Sequence, residues 1–196
     1  MMLVVDCCIR GDCSATRRYY KAYLQKRSVK DVQYIELSKL VMAPLDSEAL
    51  QKREALCAER NCDHAMFHLA HQFRSADEIL IAAPFWDLSF PALLKIYFEH
   101  VTVSGLTFGY DEQGCCLGYC KANRILYFST CGGYVGKKHL GFEYVKALGA
   151  MLGINECVLY IIEGMDVDPS RREAILNEAI AGLPNSPENI KCDLLK

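Results

Sequence analysis

Residues 79–84 read Ile-Leu-Ile-Ala-Ala-Pro, a run with no polar side chain that is too short for a helix and ends at a proline. A half-exposed strand alternates apolar and polar residues, whereas an unbroken apolar run of this length is the pattern of a strand covered on both faces. Such a strand needs helices above and below it, and the chain supplies them. Four more short apolar or β-branched runs occur, at Leu3–Cys7, Val32–Leu37, Arg124–Ser129 and Cys157–Ile162. Helical patterns separate the five. Thr16–Arg27 spaces Tyr19, Tyr20, Tyr23 and Leu24 as a helix does. Ser47–Glu59 is expected to be a helix with Ser47 as its N-cap, after a loop at Ser38–Asp46 that contains Pro44. Further helices are predicted from about Asn61 to Ser75, over Phe90–Val103, over Leu140–Leu152 with Gly153 as its stop, and over Pro169–Ala181. Gly105–Cys120 alternates like a hairpin, with Gln113-Gly114 near the tip. Parallel strands require crossovers of this kind, so the expectation is an α/β doubly wound sheet with helices on both faces.

A length of 196 residues fits one domain, 1–196, with the 105–120 segment as an excursion from it. At 52% apolar and 23% charged residues the chain is too apolar for disorder and carries enough core to fold without a metal or disulfide staple. A formal net charge of −2 excludes a nucleic-acid binder that relies on its field, leaving small molecules and protein surfaces as partners. Ile79–Trp86 is among the longest apolar stretches, far short of the roughly 18 residues of a membrane span. The N-terminal MMLVVDCCIRGD has no basic residue ahead of its short apolar part, so no signal peptide is expected and the cytoplasm is the predicted compartment. The 11 cysteines are an odd number and include no Cys-x-x-Cys, which leaves a zinc ribbon or a thioredoxin-like pair unsupported.

In a doubly wound sheet, ligands sit beyond the carboxyl ends of the strands. Three loops lie there. After the first strand, Ile9-Arg10-Gly11-Asp12-Cys13-Ser14-Ala15-Thr16 runs into a helix, placing two hydroxyls and an arginine beside free helix N–H groups. That describes a phosphate site. Ser and Thr also cap helices that bind nothing, and both readings stand at this point. The Gly-x-Gly-x-x-Gly fingerprint is absent, and Gly132-Gly133-Tyr134-Val135-Gly136-Lys137-Lys138 lacks the spacing of a nucleotide P-loop. After the third strand, Pro84-Phe85-Trp86-Asp87-Leu88 suits the wall of a pocket for a flat ring, or else a packed aromatic turn. After the fourth, Ser129-Thr130-Cys131-Gly132-Gly133-Tyr134 contains paired glycines that permit close backbone approach to a ligand or merely a tight turn.

With these loops in order, the sequence resembles the flavodoxin-like FMN-dependent NAD(P)H oxidoreductases, in particular the NADH-azoreductase/quinone reductase family. The resemblance rests on Ser14-x-Thr16, on Ala83–Val101 (APFWDLSFPALLKIYFEHV) continuing through Gly105–Tyr110, and on Gly132-Gly133, with Leu152-Gly153-Ile154 and Glu163-Gly164 behind them. It implies a flavodoxin-like five-stranded sheet of order 2-1-3-4-5 and a homodimer with FMN near the interface. Ser14, Ala15 and Thr16 would hold the phosphate. Pro84, Phe85, Trp86, Asp87 and Leu88 would meet the ring or ribityl chain, and Ser129, Thr130, Cys131, Gly132 and Gly133 would close its other side. Arg10 is added from its place beside the phosphate loop, not from the family. The family often has asparagine, tyrosine and arginine at positions 87, 86 and 131, and a polar residue at 15. A carboxylate at Asp87 would disfavour added negative charge on the ring.

The implied reaction carries hydride from NADH or NADPH through the flavin to a quinone- or azo-type acceptor in ping-pong order, the cofactor doing the chemistry with no catalytic side chain required. Tyr110 and Tyr134 are candidates for orienting substrate, or for packing. One alternative is a flavodoxin-like electron carrier without nicotinamide activity, although a net charge of −2 offers little for charge-guided docking. The other is a metal or thiol sensor. His64, His68 and His71 fall at helical spacing with Asp63, Cys57 and Cys62 nearby, opposite an apolar face of Cys62, Met66, Leu69 and Phe73. Such spacing more often marks a solvated or subunit-facing stripe, and no metal is expected.

Overall fold

A computed structural model describes residues 1–136 and 138–184. Five parallel strands form one sheet: β1 (Met2–Asp6), β2 (Val32–Glu36), β3 (Glu78–Ala82), β6 (Arg124–Thr130) and β7 (Glu156–Ile162), in the order β2-β1-β3-β6-β7. This is the anticipated 2-1-3-4-5 arrangement, with two extra short strands intervening in the numbering. Register is continuous across the middle, Met2 opposite both Val32 and Glu78, Ile79 opposite Ile125, and Arg124 opposite Glu156.

Because successive strand side chains point to opposite faces, the sheet feeds two cores. Leu3, Val5, Ile79, Ile81, Ile125 and Tyr127 face one side, covered by α3 (His68–Ser75), α4 (Ala92–Val101) and α5 (Leu140–Met151) through Phe73, Leu94, Tyr97, Phe98 and Val145. Val4, Leu80, Ala82, Leu126 and Phe128 face the other, beneath α1 (Ala15–Lys26) and α6 (Arg172–Ala181). There Phe128 stacks on Tyr160 at 4.4 Å and meets the rings of Tyr19 and Tyr23 at 5.2 and 5.1 Å. The unbroken run at 79–84 is thus explained: Leu80 and Ile81 are both fully buried, on opposite faces. β4 (Phe108–Tyr110) and β5 (Cys116–Gly118) pair antiparallel as a separate hairpin. It is tied to the end of α5 by the Cys120 N–H, which donates to the Leu152 carbonyl at 3.1 Å.

Three expectations are corrected. The helix α2 (Ser47–Ala58) is capped by Asp46 rather than Ser47; its carboxylate accepts from the Ala49 N–H at 2.8 Å, and a negative charge suits a helix N-terminus better than a hydroxyl. The closing helix keeps its end at Ala181, but Pro169–Arg171 forms a separate 3-10 turn capped by Asp168. The helix expected from Asn61 starts only at His68. Its first residues form a turn after Arg60, which sits at φ +56°, and then a single 3-10 turn over Ala65–Phe67. That break dissolves the histidine stripe. His64 Nδ1 accepts from the Met66 N–H at 3.1 Å, and His71 Nε2 lies 2.8 Å from the Cys62 carbonyl, so two of the three rings are engaged by backbone. Among the described residues no group of three His, Cys, Asp or Glu side chains is placed to hold a metal.

Candidate functional site

The foundation is Asp6, the last residue of β1 and only 1% exposed. Oδ1 accepts from the Cys8 N–H at 2.7 Å, and Oδ2 accepts from the Tyr20 hydroxyl at 2.8 Å. Arg17 Nε sits 2.7 Å from Oδ2, with its N–H angled off the line between them, while Arg17 NH2 donates to Glu36 at 3.2 Å. A buried carboxylate survives only with such partners. Here they lock β1, its following loop, α1 and β2 together. Above this anchor the chain turns through Gly11 at φ +59°, and the Ser14 N–H donates to the Gly11 carbonyl at 3.0 Å. Ser14 caps α1, its Oγ accepting from the Arg17 N–H at 3.4 Å. The Ala15 and Thr16 N–H groups of the first turn have no intrahelical acceptor. Thr16 is fully buried and its hydroxyl is bonded to that of Thr130 at 2.8 Å, joining the loops after β1 and β6.

The loop after β3 is held by the Phe85 N–H, which donates to the Thr130 carbonyl at 3.1 Å. It then reverses over Trp86-Asp87-Leu88-Ser89, Trp86 and Ser89 exchanging N–H···O bonds of 3.1 and 2.8 Å. Asp87 and Leu88 take φ of +49° and +66°. Consecutive left-handed residues give a turn that follows strand twist, but an L-leucine there costs about 1–2 kcal/mol. The loops after β6 and β7 are zipped together: N–H groups of Gly164, Met165 and Asp166 donate to the carbonyls of Gly133, Cys131 and Gly132 at 3.0, 3.1 and 2.8 Å. Glu163 Oε1 accepts from the Val135 and Gly136 N–H groups at 2.6 and 3.0 Å. A Cβ at position 132 would run into the Asp166 carboxylate, so any larger residue there would have to displace that side chain.

These loops enclose a cleft of about 110 Å³. Arg10, Ser14 and Ala15 line it from the first loop, Pro84, Phe85 and Trp86 from the second, and Thr130, Cys131 and Gly132 from the third. The cleft reaches the surface at Ile9 and Trp86, which are 45% and 41% exposed. Of the other candidates, Thr16 and Ser129 lie buried behind the lining, while Asp87, Leu88 and Gly133 lie outside it. Tyr110 and Tyr134 are exposed and do not line the cleft. Sequence reasoning missed Ile9 and Cys13 of the first loop, and it missed Met165, Asp166 and Arg172 altogether, because the loop after the fifth strand was not among those searched. Its Glu163-Gly164 was the available signal.

The cleft therefore brings together a helix start with N–H groups free of intrahelical acceptors, the Ser14 hydroxyl, two arginines and Asp166 with an apolar and aromatic wall. That donor set accepts an anion joined to a flat ring. Thiol chemistry is disfavoured at the buried cysteines: burial, with Glu163's charge added, pushes Cys131 up to about 12, and burial beside Asp6 does the same to Cys7. His139 caps α5 behind Phe85, its ring 5.0 Å edge-on from the phenyl, and burial lowers its pKa.

A family model described as the flavodoxin-like fold matches residues 1–185. An FMN-dependent NADH:quinone oxidoreductase 2 of Clostridium acetobutylicum is 30% identical over 167 residues, covering 83% of this chain and 82% of that protein. An FMN-dependent NADH:quinone oxidoreductase of Stenotrophomonas maltophilia is 29% identical over 190 residues, 94% of each. An FMN-dependent NADH-azoreductase of Bacillus anthracis, solved in complex with FMN, superimposes with a TM-score of 0.75 at 20% identity, over 93% of this chain and 96% of that one. At that identity the likeness is one of fold.

Proposed function

The chain belongs to the flavodoxin-like fold family, and on that footing we propose that it is an FMN-dependent NAD(P)H oxidoreductase acting on quinone- or azo-type acceptors, as its named relatives do. The observation that carries this reading is the meeting, in one cleft, of the Ser14–Ala15 helix start and the Pro84-Phe85-Trp86 wall. FMN, when bound, would supply the redox chemistry that links NADH or NADPH to a quinone- or azo-type acceptor in ping-pong order. The protein binds and orients. Ser14, Ala15 and the Thr16 N–H hold the phosphate beside Arg10, the Thr16 hydroxyl being engaged by Thr130. Pro84, Phe85 and Trp86 take the ring or ribityl chain, with Asp87 and Leu88 completing the same turn beyond the lining. Thr130, Cys131 and Gly132 form the opposite side, backed by buried Ser129 and continued by Gly133. Tyr110 and Tyr134 are exposed and available to orient the acceptor.

The whole chain acts as one flavin-binding unit in this proposal, as a homodimer in the cytoplasm. Exposed Tyr110 and Leu117 on the β4–β5 hairpin support the dimer, and the free thiols of the described cysteines suit a reducing compartment. No helix among the described residues is long and apolar enough to cross a membrane.

The test is the absorption spectrum of the purified protein, identification of the cofactor released from it, and anaerobic mixing with NADH. FMN that bleaches on mixing, with ping-pong steady-state kinetics, is the expected result. FMN that does not bleach indicates a carrier, and a different nucleotide overturns the assignment.

A further inference from the structure

The cleft has a second arginine that no strand-one motif announces. Arg172 opens α6 and lines the cleft together with Ser14 and Ala15. Two independent ties put it there. The neighbouring Glu173 is gripped bidentately by Arg18 of α1 at 2.7 and 2.8 Å, docking the start of α6 on the first turns of α1. Asp166, held over Gly132 by its own N–H, accepts from Arg172 NH1 at 3.1 Å. That is the one hydrogen bond made by the Arg172 side chain among the described residues, although a guanidinium carries five N–H donors.

The charges need this arrangement. Asp166 lines the same cleft, and alone it would repel an anion from the wall where the helix start attracts one. Paired with Arg172 it becomes a bracket that holds a half-exposed guanidinium in the lining of the cleft. We propose that Arg172 is a phosphate-binding residue for the flavin nucleotide, positioned by Asp166 in the cleft that Arg10 also lines. The inference rests on the FMN reading above and extends it to α6.

The experiment uses full-length protein stripped of flavin and titrated with FMN or with riboflavin, which lacks the phosphate, following flavin fluorescence. Loss of a charge-assisted contact predicts FMN binding about tenfold to hundredfold weaker in Arg172→Ala, with riboflavin binding unchanged. Arg172→Lys retains part of the difference, because a point charge remains without the planar fork. Asp166→Asn leaves FMN binding equal or tighter, since the amide oxygen still accepts from Arg172 while the repelling charge is gone. Equal losses for FMN and riboflavin, or weaker FMN binding in Asp166→Asn, would mean that the pair merely braces the loop and overturn the proposal. So would unchanged FMN binding in Arg172→Ala with a loss confined to NADPH. Wild-type protein that takes up neither flavin overturns the cofactor reading as well, a result distinct from all of these.

Discussion

Asp6 shows how one buried charge organises the whole binding rim. Its two oxygens serve a loop N–H, a tyrosine hydroxyl and a guanidinium at once, so its removal strands three buried partners. Asp6→Ala is expected to destabilise the protein by about 3–5 kcal/mol, the range for breaking a buried ion pair from one side. Chemical denaturation measures this, and Asp6→Asn should recover part of it by keeping an acceptor for Cys8. His139 provides a second residue-scale prediction. Its folded pKa is lowered by burial, so the unfolded chain binds the proton first as pH falls. The stabilising contribution is complete above about pH 6.5 and is lost as pH drops below that value toward the lower folded pKa. Asn caps helices well. Denaturant midpoints of His139→Asn should therefore fall less than those of the wild type between pH 7.5 and 5.5. A parallel fall in both would refute this linkage.

Among the elements, the hydroxyl pair of Thr16 and Thr130 is the only side-chain hydrogen bond joining α1 to β6 in the described residues, placed where the two loops diverge around the cleft. Thr16→Val, Thr130→Val and the double variant form a cycle whose coupling energy should be about 1 kcal/mol by equilibrium unfolding. A coupling near zero would mean that each hydroxyl is satisfied elsewhere. The same pair marks the limit of what sequence conveys. Apolar runs such as 79–84 and the tyrosine spacing of 19–24 report burial period directly, which is why the five core strands and most helices were legible, whereas the order of the strands came only with the family resemblance. Position after strands one, three and four brought nine lining residues into view, from Arg10 to Gly132. Whether a threonine hydroxyl faces a ligand or another threonine 114 residues away is settled by packing, and no local pattern encodes it. Arg172 was hidden for the same reason, since its place depends on Arg18 holding Glu173. The histidine spacing misled because helical periodicity was assumed across Asn61–His64, where turn-forming residues and a positive-φ Arg60 break the helix.

At the scale of the molecule, the hairpin is separate from the main sheet and meets one core only through Phe108. β4 and β5 stand off the main sheet and present Tyr110, 64% exposed, and Leu117, 44% exposed. In the dimer proposed above the second copy covers Leu117 and borders Tyr110. Sedimentation velocity is expected to give a dimer for the wild type and a monomer for Leu117→Asp, while a monomeric wild type would remove the hairpin from any such role. The three backbone bonds between the loops after β6 and β7 have a different consequence. Two segments laddered in this way travel as a single slab, so lengthening one drags the other. Any redesign for bulkier acceptors has freedom only on the opposite bank, at the Trp86 reversal, where backbone tension is already stored.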